Sequence, residues 1–182
     1  MTDAGDGWLD GVDDELRSFD DLVTQRAARR FRDVLGHYAS GVTVVTAMAG
    51  QEAVGLTCQS FSSVSLDPPL VVFIPARTSR TWPRIREAGR FCVNVLGADQ
   101  QAVSDRFAGR GAGDRFAGVE WRPAPVTGSP LLAGSHAYVD CTVYAVHEAG
   151  DHDLVVGRVH AMGHAEAGEP LLFHRGRYRT LG

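Results

Sequence analysis

Small polar side chains are concentrated in one short stretch of the chain. Residues 55–71 read Gly-Leu-Thr-Cys-Gln-Ser-Phe-Ser-Ser-Val-Ser-Leu-Asp-Pro-Pro-Leu-Val, with hydroxyl and amide groups dense between two apolar segments. The Asp-Pro-Pro step favours a rigid extended turn, because proline fixes its own φ and restricts the residue before it. Small hydrogen-bonding groups along a strand edge suit a flat ligand with polar atoms on its rim. Ordinary pairing of serine and threonine across strands explains the same pattern without a ligand.

A second polar cluster precedes a predicted helix and reads Arg-Thr-Ser-Arg-Thr-Trp-Pro over residues 77–83. Backbone N–H groups at a helix start, two hydroxyls and a guanidinium together favour a bound phosphate. An ordinary N-cap by Ser79 or Thr81 fits equally well. The residues alone leave both interpretations open.

Other patterns that would carry chemistry do not occur in the sequence. There is no G-x-S-x-G elbow and no helical H-E-x-x-H motif. His160 and His164 are four residues apart in a predicted strand, which favours solvent-facing histidines over a metal site. The glycines at 109, 111 and 113 do not form G-x-G-x-x-G between a strand and a helix, so a Rossmann fold is disfavoured.

All 18 basic residues are arginine, and the sequence contains no lysine. A lysine Schiff base, and with it pyridoxal-phosphate transamination, is therefore excluded. A P-loop is excluded as well, since it needs a specific lysine. Cationic roles must fall to arginine, histidine or backbone N–H groups.

The net charge of −4 is unevenly distributed. Residues 1–28 contain eight acidic residues and two arginines, a balance of −6, which leaves +2 for the remainder. That surplus is too small to indicate nucleic-acid binding. No apolar run reaches the roughly 20 residues of a membrane span, and the acidic start lacks the basic region of a signal peptide. Three cysteines without a C-x-x-C motif indicate buried thiols in a reducing cytoplasm.

The hydrophobic pattern predicts many short strands and few helices. We expect an acidic tail or helix over residues 1–26, with helical spacing running to about Gly36, followed by one domain over 27–182. Predicted strands cover residues 42–48, 53–58, 61–66, 70–74, 91–96, 137–148, 154–164, 170–174 and 177–181. Predicted helices cover residues 79–88 and 99–107, and a glycine-rich connection covers 109–118. The predicted strands and helices do not alternate as in βαβ units, so their order predicts an antiparallel barrel, closed or partly closed.

Six landmarks in this order resemble the flavin reductase family with the FMN-binding split-barrel fold. They are Gly-Val-Thr-Val-Val-Thr at 41–46, the run at 55–71, Ser-Arg-Thr at 79–81, Phe-Cys-Val-Asn-Val-Leu at 91–96, Asp-Arg-Phe at 114–116 and Gly-Asp-His-Asp at 150–153. The resemblance covers about residues 27–182. It implies a mainly β, antiparallel split barrel with a few flanking helices. It also implies a reductase component of a two-component flavin-dependent monooxygenase, which reduces FAD or FMN with NADH or NADPH.

The resemblance also implies roles for individual residues. His152 is expected at the nicotinamide side, as the residue that positions the hydride donor. The resemblance implies cofactor binding by Thr43, Thr57, Cys58, Gln59, Ser60, Phe61, Ser79, Arg80, Thr81, Trp82, Asn94, Arg115, Phe116 and Tyr178. Among these, Ser79, Arg80 and Thr81 are expected to hold the flavin phosphate. No metal is expected.

The expected partners are a second copy of the chain, in a homodimer, and an oxygenase that receives reduced flavin. Neither nucleic acid nor membrane is expected as a partner. Two other functions stay open: a non-catalytic flavin-binding or carrier protein, and an enzyme like pyridoxamine-phosphate oxidase. The choices between FAD and FMN, and between NADH and NADPH, also stay open at this point, as do the pathway and the purpose of the acidic tail.

Overall fold

The computed structural model describes residues 25–109 and 113–181, and these form two compact units with the boundary after Tyr38 in the chain. The first unit holds helix α1 (Gln25–Leu35), whose apolar residues Phe31, Val34 and Leu35 are exposed. Its end agrees with the predicted end near Gly36. The predicted acidic tail before residue 25 lies outside the described residues. Within the described ranges, no helix has the length and apolar character needed to cross a membrane.

The second unit is built mainly from short strands. In chain order its elements are β1 (Ser40–Gly41), β2 (Thr43–Ala49), β3 (Glu52–Cys58), β4 (Ser62–Leu66), β5 (Pro69–Phe73), α2 (Trp82–Ala88), β6 (Arg90–Val95), α3 (Gln101–Ala108), β7 (Trp121–Pro123), β8 (Pro130–Leu132), β9 (Ala137–Ala149), β10 (His152–His164), β11 (Leu172–His174) and β12 (Arg177–Arg179).

Seven strands form one antiparallel sheet in the order β3-β2-β6-β9-β10-β5-β4. Strands β9 and β10 make a long hairpin whose turn uses Gly150 at φ 62°, a value that favours glycine. The sheet curls around its main core, because Leu56 of β3 at one end packs in the same cluster as Phe73 of β5 near the other. This confirms the predicted mainly antiparallel barrel.

Aromatic residues fill the centre of the barrel. Phe73 lies edge-on to Trp82 and to Phe91, with ring centroids 5.8 and 5.0 Å apart. The Phe91 ring passes so close to β10 that a Cβ on Gly157 would lie 2.4 Å from its Cζ. Glycine at 157 is therefore a packing requirement of the core.

A small hairpin, β7 with β8, was not predicted from the sequence. The buried Asp140 carboxylate accepts hydrogen bonds from the backbone N–H of Val126 (2.8 Å) and Thr127 (3.1 Å), which fixes the turn between the two strands on β9. Each strand is three residues long and contains proline, so neither shows a strand period in the sequence. A carboxylate distant in sequence decides this structure.

Candidate functional site

An open cleft of about 810 Å³ lies beside strand β3. One wall is the end of β3 and the residues after it, 56–60; a second wall is the segment 74–81 before helix α2. The end of helix α3, residues 107–109, together with Arg115 and His152, completes the lining. The fold thus gathers segments that are far apart in the chain.

Nine of the fifteen residues predicted for the site line this cleft. They are Thr57, Cys58, Gln59, Ser60, Ser79, Arg80, Thr81, Arg115 and His152. Their meeting in one place follows from the topology, because β3 and the loop after β5 approach each other only when the sheet curls.

Two hydroxyls on the β3 side donate their protons to the protein itself. Thr57 Oγ1 donates to the Ser104 carbonyl at 2.7 Å, and Ser60 Oγ donates to the Ile74 carbonyl at 3.0 Å. These side chains can only accept from a ligand. Hydrogen-bond donors to the polar rim of a ligand must then come from other groups. Strand β3 lies at the edge of the sheet, so alternate backbone N–H groups along it are not bonded to a neighbouring strand and can serve as these donors.

The turn before helix α2 is organised by Ser79. Its Oγ accepts hydrogen bonds from the backbone N–H groups of Thr81 and Trp82, each at 3.2 Å. Ser79 therefore already occupies two of the N–H groups that the sequence offered to a phosphate, and phosphate binding at this turn stays a prediction. Anion binding at this turn rests instead on the Arg80 guanidinium and on hydroxyl groups.

Arg115 is fixed at the junction of the cleft walls. Its Nη1 donates to the Gly55 carbonyl at 2.9 Å and to Thr81 Oγ1 at 3.1 Å, and its Nη2 donates to the Gly109 carbonyl at 2.5 Å. These acceptors are uncharged, so the guanidinium keeps its positive charge towards an anion in the cleft.

His152 lies at the start of β10, where it pairs with Ala76 of the wall formed by residues 74–81. Its Nδ1 lies 2.7 Å from Asp151 Oδ1, and 42% of its side chain is exposed. A carboxylate only accepts, so Nδ1 carries the proton and Nε2 is the ring nitrogen left for a ligand. The hydrogen bond and the charge of His152 lower the pKa of the Asp151 carboxyl below its ordinary value.

Three predicted residues lie inside the protein and outside the cleft lining. Thr43 Oγ1 donates to the Cys58 carbonyl at 2.7 Å, and Trp82 Nε1 donates to Asp153 Oδ2 at 2.7 Å. Asn94 is fully buried and links β2 to β8, donating to the Val44 carbonyl and accepting from Leu132 N–H. Their polar groups are used by the fold, and their predicted contact with the cofactor stays a prediction.

Three further predicted residues also lie outside this cleft. Phe61 packs against the main core. Phe116 packs edge-on against Phe107, with ring centroids 5.0 Å apart, and lines a neighbouring cleft. The Tyr178 hydroxyl donates to Asp105 Oδ1 at 2.7 Å, which holds the C-terminal hairpin on α3, and burial raises the pKa of this phenol. Phe61 and Tyr178 have partners inside the fold, whereas Phe116 lines the neighbouring cleft, and the cofactor role of all three stays a prediction.

The sequence did not reveal the apolar part of the lining. Leu56, Ile74, Pro75 and Phe107 line the cleft between the polar walls, although only Ile74 among them is partly exposed, and Thr78 adds a hydroxyl. Nothing in the local pattern separates Phe107 from an ordinary core residue of an amphipathic helix. The hydroxyl of Thr78, beside the Ser-Arg-Thr turn, was the one available signal.

The predicted strand histidine has an ordinary partner. His160 Nε2 lies 2.8 Å from Thr142 Oγ1 on the neighbouring strand. In the residues that the structure describes, no three histidine, cysteine or acidic side chains cluster as metal ligands would.

Comparison with known proteins finds relatives that match most of this chain. A model of the flavin reductase like domain matches residues 35–182. The reductase subunit HsaB of a flavin-dependent monooxygenase from Mycobacterium tuberculosis is 50% identical over 162 residues, covering 88% of this chain and 86% of its own.

Two solved structures have the same fold. Nitrilotriacetate monooxygenase component B from Mycobacterium thermoresistibile has a TM-score of 0.82 and 48% identity, covering 85% of this chain and 87% of its own. The NADH:FAD oxidoreductase SgcE6 from Streptomyces globisporus C-1027, in complex with NAD and FAD fragments, has a TM-score of 0.82 and 35% identity, covering 87% and 95%. The match over most of the chain confirms the resemblance noted in the sequence: the protein belongs to the flavin reductase family.

Proposed function

We propose that this protein is an NAD(P)H:flavin oxidoreductase that reduces free FAD or FMN and supplies the reduced flavin to a partner monooxygenase. The observation that carries the proposal is the cleft in which residues 57–60, the turn 79–81 and His152 meet. Family membership and the activities of HsaB and SgcE6 support it.

The lining fits a flavin in its chemistry. Ile74 offers partly exposed apolar surface for a flat ring system, and the Arg80 and Arg115 guanidiniums offer positive charge for a phosphate. The flavin supplies the hydride-accepting ring when bound, so the protein needs no acid–base pair of its own. The chain's residues bind, orient and exclude competitors.

We assign separate tasks to the parts of the cleft. Ser79, Arg80 and Thr81 hold the phosphate of the flavin. The edge of β3 binds the polar rim of the ring. His152, held by Asp151, orients the nicotinamide end of the hydride donor through Nε2.

The test is an anaerobic mixture of purified protein, FAD or FMN, and NADH or NADPH, in which bleaching of the flavin absorbance is followed. Bleaching faster than the protein-free rate is expected. Flavin binding without bleaching would instead identify a carrier protein. Oxidation of pyridoxamine phosphate under air, with no NAD(P)H-dependent bleaching, would identify the oxidase-like alternative.

We further propose a homodimer that uses the outer face of the sheet. Val72, Val156 and Ala145 are directly paired across three strands, and all are only partly buried, whereas the adjacent Phe73 and Val155 on the inner face are fully buried. An apolar row of this kind on an outer face is typical of a subunit contact. Light scattering during gel filtration should give twice the chain mass, and Val156→Arg should give a monomer. A wild-type monomer would overturn this proposal.

We place the protein in the cytoplasm. Cys58, Cys92 and Cys141 are all free thiols, a state that persists in a reducing compartment. Fractionation of the source cells followed by immunodetection tests this location.

A further inference from the structure

A second cleft, of about 850 Å³, adjoins the proposed flavin cleft. Both clefts are lined by Arg80, Thr81 and Arg115, so they share one wall. The second cleft continues past this wall along β3 and helix α2, where Glu52, Arg84 and Trp121 line it. A ligand anchored at the turn 79–81 can therefore extend into it.

The second cleft has a positive balance of charge. Arg80, Arg84 and Arg115 line it together with Glu52 and Asp114, which gives +1. Arg84 forms a two-pronged pair with Glu52, with Nη2–Oε2 at 2.8 Å and Nη1–Oε1 at 3.0 Å. This pair is partly exposed, so water or an incoming phosphate can compete for the guanidinium. Arg115 is held by uncharged acceptors and keeps its full charge.

Three aromatic side chains in successive contact connect the lining of one cleft with the lining of the other. Phe107 lines the flavin cleft and packs edge-on against Phe116, which packs edge-on against Trp121 with ring centroids 6.1 Å apart. Trp121 lines the second cleft and is 38% exposed. A rigid, partly exposed indole beside arginines is a suitable platform for a purine base.

We propose that the second cleft binds the adenosine monophosphate portion of FAD, so that this enzyme prefers FAD to FMN. The inference rests on the proposed flavin reductase function. The adenine stacks on Trp121, and the additional phosphate lies between Arg80 and Arg84. FMN ends at its single phosphate and leaves this cleft without a ligand.

NADH carries the same adenosine monophosphate group, so the experiment must separate the two sources. The Michaelis constants of Trp121→Ala and Arg84→Ala are measured for FAD and FMN with saturating NADH. They are then measured for NADH and for reduced nicotinamide mononucleotide with FMN as acceptor. Arg86→Ala, on the exposed side of the same helix, is the matched control. Trp121→Phe tests rescue by another aromatic ring.

The expected result is that Trp121→Ala raises the ratio of KM for FAD to KM for FMN roughly tenfold, the size of one lost base–aromatic stack. Arg84→Ala should raise the same ratio, Trp121→Phe should restore most of it, and Arg86→Ala should leave it unchanged. If only the ratio of KM for NADH to KM for reduced nicotinamide mononucleotide rose, the cleft would belong to the hydride donor and the proposal would be overturned. The proposal would also be overturned if the KM ratio of FAD to FMN and the KM ratio of NADH to reduced nicotinamide mononucleotide both stayed unchanged. Failure of the wild type to reduce either flavin would instead refute the proposed function, so the two failures are distinguishable.

Discussion

Trp82 Nε1 donates a 2.7 Å hydrogen bond to Asp153 Oδ2, and both side chains are buried. Trp82 follows the turn that we assign to the flavin phosphate, and Asp153 follows His152. The bond therefore joins the segment to which we assign the flavin phosphate and the segment to which we assign the nicotinamide, although 71 residues separate its two partners in the chain.

Trp82→Phe should lower the free energy of unfolding by about 1–3 kcal/mol, because the buried Asp153 carboxylate loses a hydrogen-bond donor. Denaturant unfolding measures the change. Arg77→Ala is the control: its Nε is 3.9 Å from Asp153 and its side chain is half exposed, so a much smaller loss is expected. Equal losses in the two variants would contradict a special role for the indole.

Arg80→Ala should weaken binding of FMN by roughly tenfold or more, since a charge-assisted hydrogen bond to phosphate contributes about 1.5–3 kcal/mol. Riboflavin, which has no phosphate, should bind both forms of the protein alike. Titration of flavin fluorescence measures both affinities. The assignment of Arg80 to the phosphate is wrong if riboflavin binding falls as much as FMN binding.

His152→Ala should raise KM for NAD(P)H by roughly fivefold, the effect of one lost hydrogen bond, and should change KM for the flavin less. Steady-state kinetics with each substrate varied in turn measure the two constants. Asp151→Asn should have a milder effect of the same kind, because it removes the carboxylate that holds Nδ1. A larger rise for the flavin than for NAD(P)H would refute the role.

Gly157→Ala should destabilise the protein by about 1–3 kcal/mol, because the new methyl group must displace the fully buried Phe91 ring. Gly41→Ala is the control, since a Cβ there meets no atom within 4 Å. Thermal unfolding followed by circular dichroism compares the two. An unchanged melting temperature in Gly157→Ala would contradict the described packing.

Stability should fall as the pH rises above about 9. Burial, and then the neighbouring Asp140, raises the pKa of the Cys141 thiol from 9.0 to about 12. The unfolded chain then releases this proton at lower pH than the folded one, so the contribution is complete below pH 9 and is lost towards pH 12. Melting temperatures measured against pH should decline less steeply in Cys141→Ala than in the wild type. Parallel declines would show that another group is responsible.

Local sequence patterns determined much of this protein. The apolar alternation of β9 and β10 and the proline and glycine boundaries predicted most strands of the sheet to within a few residues. The ordered motifs around Thr57, Arg80 and His152 identified the family and nine residues of the cleft, because a ligand constrains residue types at fixed spacings.

Only the tertiary structure decided how the polar groups are used. Thr43, Trp82 and Asn94 carry the same chemistry as residues of the site, yet their hydrogen bonds are made inside the fold. A buried polar group must find a partner, and that partner lies on a segment distant in sequence. The sequence therefore determined which groups are present, whereas the curling of the sheet decided which of them remain available to a ligand.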